Sequence, residues 1–322
     1  MRKPNETHPE PSLTFSPPSN LANVTVILLE PAVPGNIGSS ARAMKTMGLG
    51  DLVVVNGPKF KGETEALKMG HGAWDLLDRA REVKTWEEAT DGLHWLIGTT
   101  HRKRRAQFPQ TLPAREAARK IAGFSQKNRV GIVFGREESG LSDVELRRCQ
   151  ELTTVPSGAE HPALNLSQAV MLYSYEIFVA SMGDVPVQPK TLATIHELES
   201  LLKHLGESLG KVGFRPHQGD PDSFLRSLRR VLGRAPLEKR DINVLHLICQ
   251  QIDYYVQTHG HSGTGETPVP LPALTPPCQS PTLRSMGKKA IATPNKPSAL
   301  VDTRVICCGR QSGTTQDGGC IK

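Results

Sequence analysis

Residues 129–172, RVGIVFGREESGLSDVELRRCQELTTVPSGAEHPALNLSQAVML, decide how the chain is expected to fold. They contain two short apolar segments, residues 130–134 and 152–155, and each segment ends in a loop of Gly, Pro and polar residues. Short apolar segments bounded by turn residues are typical of buried strands. The stretch therefore predicts two buried strands whose carboxyl ends open into loops.

Each of these loops leads into a predicted helix. Ser142 is followed three residues later by Glu145, and Asn165 by Gln168, which is the pattern of a capping box at a helix start. Open α/β sheets bind their ligands outside the carboxyl ends of the strands, where such loops lie. We therefore predict a ligand site formed by these two loops.

The alternation of strand and helix extends towards the N-terminus. Further strands are predicted at residues 23–29, 52–55 and 93–98. Residues 63–80 are helical in composition, and Thr85 begins another capping box. This alternation favours an α/β fold with a mostly parallel sheet that is covered by helices on both faces.

Two helix starts are predicted from single residues. Asn36 is expected to cap a helix that ends at Gly48, and Pro113 is expected to be the first residue of a helix over 113–122. The loop 35–38 could bind an anion at the start of the first of these helices. A plain turn is the alternative interpretation of that loop.

Composition divides the chain into five parts. Residues 1–20 are rich in Pro and polar side chains, residues 259–322 contain no Phe, Trp or Tyr, and both segments are expected to be disordered. Between them lie an α/β domain, residues 21–182, a linker, residues 183–190, and a small all-helical module, residues 191–258. The helices of the module are predicted from apolar residues at helical spacing.

The charge balance suits a partner that carries phosphate groups. The chain has a formal net charge of +7 at pH 7 and a sequence pI of about 9.1. The six cysteines show no CxxC spacing, so neither a disulfide scaffold nor a metal site is expected. We find no signal peptide and no segment of the roughly 20 apolar residues that a membrane helix needs, so a cytoplasmic location is expected.

Two basic clusters are candidate contacts for nucleic acid. The candidate residues are Arg102, Lys103, Arg104 and Arg105 in the loop after the strand at 93–98, and Arg226, Arg229 and Arg230 on a helix of the module. Charge runs are most often solvated surface. Fixed positive charges beside an expected ligand edge nevertheless favour phosphate contacts.

Three short motifs occur in order along the α/β domain. They are Asn36-x-Gly38-x-x-x-Arg42, Phe134-Gly135-x-Glu137-x-x-Gly140-Leu141 and Pro162-x-Leu164-Asn165-Leu166-Ser167-x-Ala169-Val170. Their order and spacing resemble those of the SpoU/TrmH (SPOUT) RNA 2′-O-ribose methyltransferases. The resemblance covers residues 24–182, and the helical module looks like the C-terminal extension of the TrmJ branch of that family.

The resemblance implies a cofactor and a rare chain topology. Family members bind S-adenosyl-L-methionine where the C-terminal part of the domain is threaded through a loop as a trefoil knot, an exception to the usual connection rules. The cofactor-binding residues are then expected to be Thr99, Thr100, His101, Gly135, Val155, Pro162, Ala163 and Leu164. The catalytic residues are expected to be Asn36, Arg42, Glu137, Asn165 and Ser167.

The resemblance also implies a reaction and its partners. The TrmJ branch methylates the ribose 2′-hydroxyl of cytidine or uridine at nucleotide 32, which opens the tRNA anticodon loop. Family members are homodimers whose substrate site is completed across the interface, and no metal is needed. A tRNA substrate and a homodimer are therefore expected here.

Arg42 is expected to stabilise negative charge rather than to accept a proton. In the family, this arginine has been assigned the role of the base. A guanidinium, however, stays protonated in proteins and is a poor proton acceptor. We expect Arg42, oriented by Asn36 and Glu137, to clamp a neighbouring phosphate and to stabilise negative charge on the 2′-oxygen. A phosphate oxygen or a water molecule would then accept the proton.

Three alternatives are weighed against this function. A related enzyme could methylate ribosomal RNA or another tRNA nucleotide, because the motifs describe how a ribose is methylated and not which ribose. A non-catalytic RNA-binding protein could keep the fold, although the intact set of Arg42, Glu137 and Asn165 argues against it. A nicotinamide-dependent oxidoreductase is not favoured, because no GxGxxG pattern follows a predicted strand.

Overall fold

A parallel sheet organises the part of the chain that the structure describes. The computed structural model describes residues 16–101, 108–158, 164–183, 190–214 and 221–259. The strands are β1 (Val24–Leu29), β2 (Asp51–Val55), β3 (Arg81–Val83), β4 (Trp95–Thr99), β5 (Thr111–Pro113), β6 (Val130–Phe134) and β7 (Glu151–Thr154). Their order is β3-β2-β1-β6-β4-β7-β5, and each neighbouring pair runs parallel. The predicted α/β fold with a mostly parallel sheet is confirmed.

Helices cover both faces of this sheet. The described helices are α1 (Pro34–Thr46), α2 (Thr64–Met69), α3 (Trp74–Arg79), α4 (Trp86–Thr90), α5 (Ala114–Phe124), α6 (Asp143–Arg148), α7 (Leu166–Met182), α8 (Ile195–Lys211), α9 (Pro221–Gly233) and α10 (Lys239–His259), of which the last three form a separate module. Among these described helices, none has the length and apolar character needed to cross a bilayer.

The two faces of β1 show how the core is divided. Val26 and Leu28 pack into a cluster with α1, α5 and α7, while Ile27 and Leu29 pack into a second cluster with α4 and α6. Successive side chains of a strand point to opposite faces. A strand that is covered on both sides therefore has a continuous apolar sequence, which is what made β1 and β6 predictable.

The predicted start of the first helix was wrong. α1 begins at Pro34, with Val33 as the N-cap residue, and not at Asn36. Proline suits this first position because the helix does not use an N–H there. Asn36 consequently lies inside the first turn, where its side chain is available for contacts outside the helix. At the other end Gly48, with a φ of 75°, lies directly after the C-cap residue.

Other boundaries also differ from the prediction. Pro113 ends β5 and is the N-cap residue of α5, so it is not the first helical residue. Residues 63–80 form two short helices, α2 and α3, rather than one. The three-residue edge strands β3 and β5 were not predicted, since three residues are too few to show a periodic pattern. The capping boxes at Thr85, Ser142 and Asn165 are confirmed.

Several predictions concern residues near or beyond the described ranges. The described structure starts before residue 21, because Ser19–Asn23 form a 3-10 helix and the Asn20 Nδ2 donates to the Ser125 Oγ at 2.8 Å. α10 extends to His259. The tail from residue 260 lies outside the described residues, as do residues 159–163 between β7 and α7. The trefoil knot stays a prediction.

The helices α8, α9 and α10 share a small core of their own at the amino ends of the strands. Leu201, Leu202 and Cys249 are buried within it. The Ile195 N–H donates to the carbonyl of Leu93 at 2.8 Å, and its side chain packs into the core of the sheet domain. Leu93 directly precedes β4 in the chain. This module therefore lies at the edge of the sheet opposite to the predicted ligand loops.

Asn128 joins the module to the sheet domain, and its loss is expected to destabilise the fold. Its Nδ2 donates to the carbonyl of Lys190 at 3.2 Å, and its Oδ1 accepts from the Leu192 N–H at 2.8 Å. Asn128→Ala leaves the buried Leu192 N–H unpaired, so urea denaturation should show a loss of about 1–3 kcal/mol. The exposed neighbour Gln126 provides the control, because Gln126→Ala should cost less than about 0.5 kcal/mol. Equal stabilities of the two variants would contradict this role.

Candidate active site

The loop between β6 and α6 supplies a carboxylate that is held by two donors. The Oε1 of Glu137 accepts from the Asn36 Nδ2 at 2.8 Å, and its Oε2 accepts from the backbone N–H of Ala32 at 3.0 Å. Both donors belong to the connection and first turn that follow β1. Glu137 therefore fixes the start of α1 against the loop that follows β6.

Asn36 extends this contact to a third loop. Its Oδ1 accepts from the Asn165 Nδ2 at 3.1 Å, and the Asn165 Oδ1 accepts from the Ser167 N–H at 2.9 Å and the Ser167 Oγ at 2.8 Å. A continuous chain of hydrogen bonds thus runs from Ala32 through Glu137, Asn36 and Asn165 to Ser167. Four predicted residues take part in it, one from the first motif, one from the second and two from the third, so the three motifs meet in space.

Two motif glycines are required by close backbone approaches. A Cβ on Gly135 would lie 2.2 Å from the carbonyl carbon of Gly140, whose N–H donates to the Arg136 carbonyl at 2.8 Å. A Cβ on Gly38 would lie 2.2 Å from the Ala66 carbonyl oxygen of α2. Both separations are far below van der Waals contact. These glycines therefore shape the loop after β6 and let α1 approach α2.

A cavity of about 250 Å³ opens at the carboxyl ends of β4, β6 and β7. It is lined by six of the predicted cofactor residues, namely Thr99, Thr100, His101, Gly135, Val155 and Leu164. Pro162 and Ala163 lie outside the described residues. The volume is just below the range of roughly 300–1,000 Å³ that is usual for small-molecule pockets. The structure thus brings the described candidate cofactor residues together.

The residues predicted to bind the cofactor do not include the apolar wall of this cavity. Leu166, Ala169 and Tyr173 of α7 line it, together with Leu141. Burial raises the pKa of Tyr173, whose hydroxyl donates to the Thr153 Oγ1 at 3.2 Å. The three α7 residues recur at i, i+3 and i+7, a spacing that marks one face of a helix. That face could have been assigned to a ligand only with the sheet order in hand.

Arg42 stands apart from the hydrogen-bonded chain. Its side chain is exposed on α1 and lines an open groove of about 690 Å³ with Ser167 and Leu164. Six residues separate Arg42 from Asn36, which is roughly 9 Å along a helix axis. No hydrogen bond joins Arg42 to Asn36 or Glu137 in the described structure, so the predicted orientation of Arg42 by these residues is not seen. Leu164 lines both the groove and the cavity, and the two therefore adjoin.

The predicted RNA-binding residues on α9 lie at the other edge of the sheet. Arg226, Arg229 and Arg230 share a cleft with Arg147 and Arg148 at the end of α6. Arg147 and Arg148 were not predicted to lie beside the module. The predicted loop residues Arg102, Lys103, Arg104 and Arg105 lie outside the described residues.

Carboxylates already engage part of this arginine cluster. Arg229 forms a double hydrogen bond with Glu199 of α8, and Arg148 pairs with Glu87 at 2.6 Å. Arg148 also lies over the Trp86 ring at 5.1 Å. Arg229 therefore helps to hold α9 on α8, a role that was not predicted for it. Across the described ranges, no group of three His, Cys, Asp or Glu side chains could hold a metal ion.

Comparison with known proteins identifies the family. A model described as the SpoU rRNA Methylase family matches residues 23–175, and one described as the tRNA methyltransferase TrmJ, C-terminal domain, matches residues 196–262. The tRNA (cytidine/uridine-2′-O-)-methyltransferase TrmJ of Yersinia pestis (strain Pestoides F) is 35% identical over 254 residues, 77% of this chain and 97% of the relative. The chain belongs to the TrmJ branch of the SpoU methylase family.

Two further relatives agree with this assignment. The tRNA (cytidine/uridine/adenosine-2′-O-)-methyltransferase TrmJ of Pseudomonas aeruginosa (strain UCBPP-PA14) is 37% identical over 237 residues, 70% of this chain and 91% of the relative. The crystal structure of TrmJ from Z. mobilis ZM4 matches with a TM-score of 0.61 at 30% sequence identity. The match covers 71% of this chain and 98% of the Z. mobilis chain. The family resemblance inferred from the motifs is confirmed.

Asn165 has two roles, and two substitutions are expected to separate them. Asn165→Ala removes both the cap of α7 and the donor to Asn36, and a lost cap costs about 1 kcal/mol. Asn165→Asp keeps an acceptor for the Ser167 N–H at a helix N-terminus but cannot donate to Asn36. In urea denaturation the Asp variant should therefore lose less than about 0.5 kcal/mol, while methyl transfer should fall in both variants. Full activity of Asn165→Asp would show that the bond to Asn36 is not needed.

Proposed function

We propose that this chain transfers a methyl group from S-adenosyl-L-methionine to a ribose 2′-hydroxyl of tRNA. The proposed nucleotide is cytidine or uridine at position 32, where the anticodon loop begins. The observation that carries the proposal is the hydrogen-bonded chain from Glu137 through Asn36 and Asn165 to Ser167. Glu137 lines the cavity of about 250 Å³ and Ser167 lines the exposed groove beside Arg42, so these hydrogen bonds connect a donor site with an acceptor site.

The cavity at the carboxyl ends of the strands is proposed as the cofactor site. Its lining combines apolar side chains, such as Leu141 and Leu166, with the loop backbone around Thr100 and Gly135. Such a lining suits an adenosine group, which needs apolar contact for its base and backbone groups for its polar edges. When bound, S-adenosyl-L-methionine supplies a methyl group activated by the positive charge of the sulfonium. The protein then has to align donor and acceptor.

Arg42 is proposed to bind the RNA backbone beside the reacting ribose. Its guanidinium is exposed in the groove next to Ser167, and Lys68 adds a second positive charge there. A planar guanidinium binds a phosphate through two N–H groups and can stabilise negative charge on a nearby oxygen. A guanidinium is a poor proton acceptor, so a phosphate oxygen or water accepts the proton of the 2′-hydroxyl.

A homodimer is proposed to complete the groove. On α7, Leu172, Tyr175 and Val179 are 39%, 50% and 46% exposed, and they follow a helical spacing. Met171, 37% exposed, lines the groove beside Arg42 and adjoins this apolar surface. Exposed apolar surfaces of this kind mark protein interfaces. A second copy of the chain that covers α7 would therefore also form one wall of the acceptor groove.

The experiment that tests the function is a methyl-transfer assay with the purified full-length chain. The chain is incubated with methyl-labelled S-adenosyl-L-methionine and an unmodified tRNA transcript, and the labelled nucleotide is mapped. We expect label on the 2′-oxygen of nucleotide 32. Ribosomal RNA is included because the matching family model is described by that substrate. Label on ribosomal RNA alone would overturn the tRNA assignment, and no label on either RNA would overturn the proposed activity.

Arg42→Lys is expected to slow methyl transfer without weakening the binding of the cofactor. The lysine keeps the charge but lacks the planar fork, so kcat should fall about 10- to 100-fold. The Kd for S-adenosyl-L-methionine, measured by calorimetry, should stay within about threefold because Arg42 lines the groove and not the cavity. Arg79→Lys on α3 is the control and should behave like the wild type. A near wild-type rate for Arg42→Lys would refute the clamp.

The cleft between α9 and α6 is expected to bind phosphate groups of the tRNA. The test is the double variant Arg226→Ala and Arg230→Ala, which leaves the contact between Arg229 and Glu199 in place. It should weaken tRNA binding and reduce the slope of log K against log salt by about 2, roughly one for each phosphate contact. Cofactor affinity should not change. Arg119→Ala, at an exposed arginine of α5 outside the cleft, is the control, and equal tRNA affinities would exclude the cleft.

A further inference from the structure

Arg136 lies between Gly135 and Glu137 in the sequence, at a position that the second motif leaves open. Its Nε donates to the Glu30 carboxylate at 2.7 Å, and its two terminal nitrogens donate to the two oxygens of Glu145 at 3.2 Å each. A guanidinium presents its N–H groups in a rigid planar fork. It can therefore serve two carboxylates at once, which an ammonium group cannot do with the same geometry.

The two carboxylates belong to different segments of the fold. Glu30 directly follows β1, whereas Glu145 lies in the first turn of α6 and also accepts from the Ser142 N–H at 2.6 Å. Arg136 itself follows β6, and with Glu137 it lines the cavity. Three segments at the carboxyl edge of the sheet are thus joined through one side chain.

Glu30 has a backbone conformation that residues other than Gly rarely adopt. Its φ is 47°, in the left-handed region, and its N–H donates to the Val55 carbonyl at 2.8 Å. The hydrogen bond from Arg136 lowers the pKa of Glu30, so the carboxylate form is favoured. Such backbone strain persists where surrounding contacts hold it, and it concentrates at functional sites. The contact with Arg136 is one of those that hold this turn.

Two consecutive residues of the β6–α6 loop form hydrogen bonds with the connection between β1 and α1. Arg136 binds Glu30, and Glu137 accepts from the N–H of Ala32 and from the Asn36 side chain. The segment 30–36 leads directly into α1. Its position relative to the cavity is therefore determined at two points by neighbouring residues of one loop.

We propose that Arg136 is a positioning residue for methyl transfer. By clamping Glu30 and Glu145, it holds the β1–α1 connection against the wall of the cofactor cavity. Asn36 and Arg42 are carried by the helix that this connection starts. The inference rests on the proposed function, since the geometry being fixed is that between the donor cavity and the acceptor groove.

The test compares Arg136→Lys with Arg115→Lys in the full-length chain. Arg115 donates to both oxygens of Glu176 at 3.2 Å on the surface of α5 and α7, so it offers a matched fork without a link to the cavity. We expect Arg136→Lys to lower kcat about tenfold or more, with the Kd for S-adenosyl-L-methionine and the KM for tRNA within about threefold. Arg115→Lys should leave all three unchanged. An equal loss of kcat and cofactor affinity would overturn the proposal, because Arg136 would then act by binding the cofactor.

Two further measurements test the clamp: the variant Glu30→Gln, and amide hydrogen exchange, which does not depend on methyl transfer. Glu30→Gln should lower kcat in the wild-type background but by less than about twofold in the Arg136→Lys background, since both changes break one clamp. Amide hydrogen exchange of Ala32 should rise about tenfold or more in Arg136→Lys and stay constant in Arg115→Lys. Additive effects on kcat, or unchanged exchange at Ala32, would overturn the clamp. If the wild-type chain methylates no RNA, the exchange result still decides the clamp, so the two failures are distinguishable.

Discussion

The site depends on a single carboxylate, Glu137, whose two oxygens accept from two donors of the β1–α1 segment. The oxygens of Glu137 accept from the Ala32 N–H and the Asn36 amide, and Asn36 in turn accepts from Asn165. A carboxylate only accepts, whereas an amide side chain both donates and accepts. In this series of hydrogen bonds, the acceptor-only carboxylate of Glu137 therefore sets which atom of each amide donates and which accepts. The cavity and the groove take their relative position from it.

The parallel sheet makes this meeting of loops possible. β1, β6 and β7 all end at the same edge, so the connections that follow them converge, although they are far apart in sequence. Because helices cover both faces, the edges are where the sheet can bind ligands. The helical module occupies the opposite edge, along with the arginine cleft between α6 and α9. In the proposed function, methyl transfer therefore takes place at the carboxyl ends of the strands, and the arginine cleft binds RNA at their amino ends.

The successes and failures of the sequence predictions follow the range of the interactions involved. The capping boxes at Thr85, Ser142 and Asn165 join residues three positions apart, and each was found from the sequence. Asn36 has the residue type of a cap, but Pro34 already begins the helix, so its amide bonds Glu137, 101 residues away. The pairing of Arg136 with Glu30 spans 106 residues and leaves no local pattern. Tyr173 of the apolar wall lies outside the three motifs, and its place at the cavity likewise leaves no local pattern.

The sequence by itself determined the buried strands, the capped helix starts and the motif order, because these depend on apolar periodicity and on contacts within one turn. It also identified the family, since glycines such as Gly135 are required by backbone approaches that no other residue allows. The tertiary structure alone decided which polar side chains meet, that Arg229 binds Glu199, and that Arg42 faces a groove. The physical reason is that these contacts are set by strand order and by the edge at which each loop emerges, and neither is encoded in the local sequence.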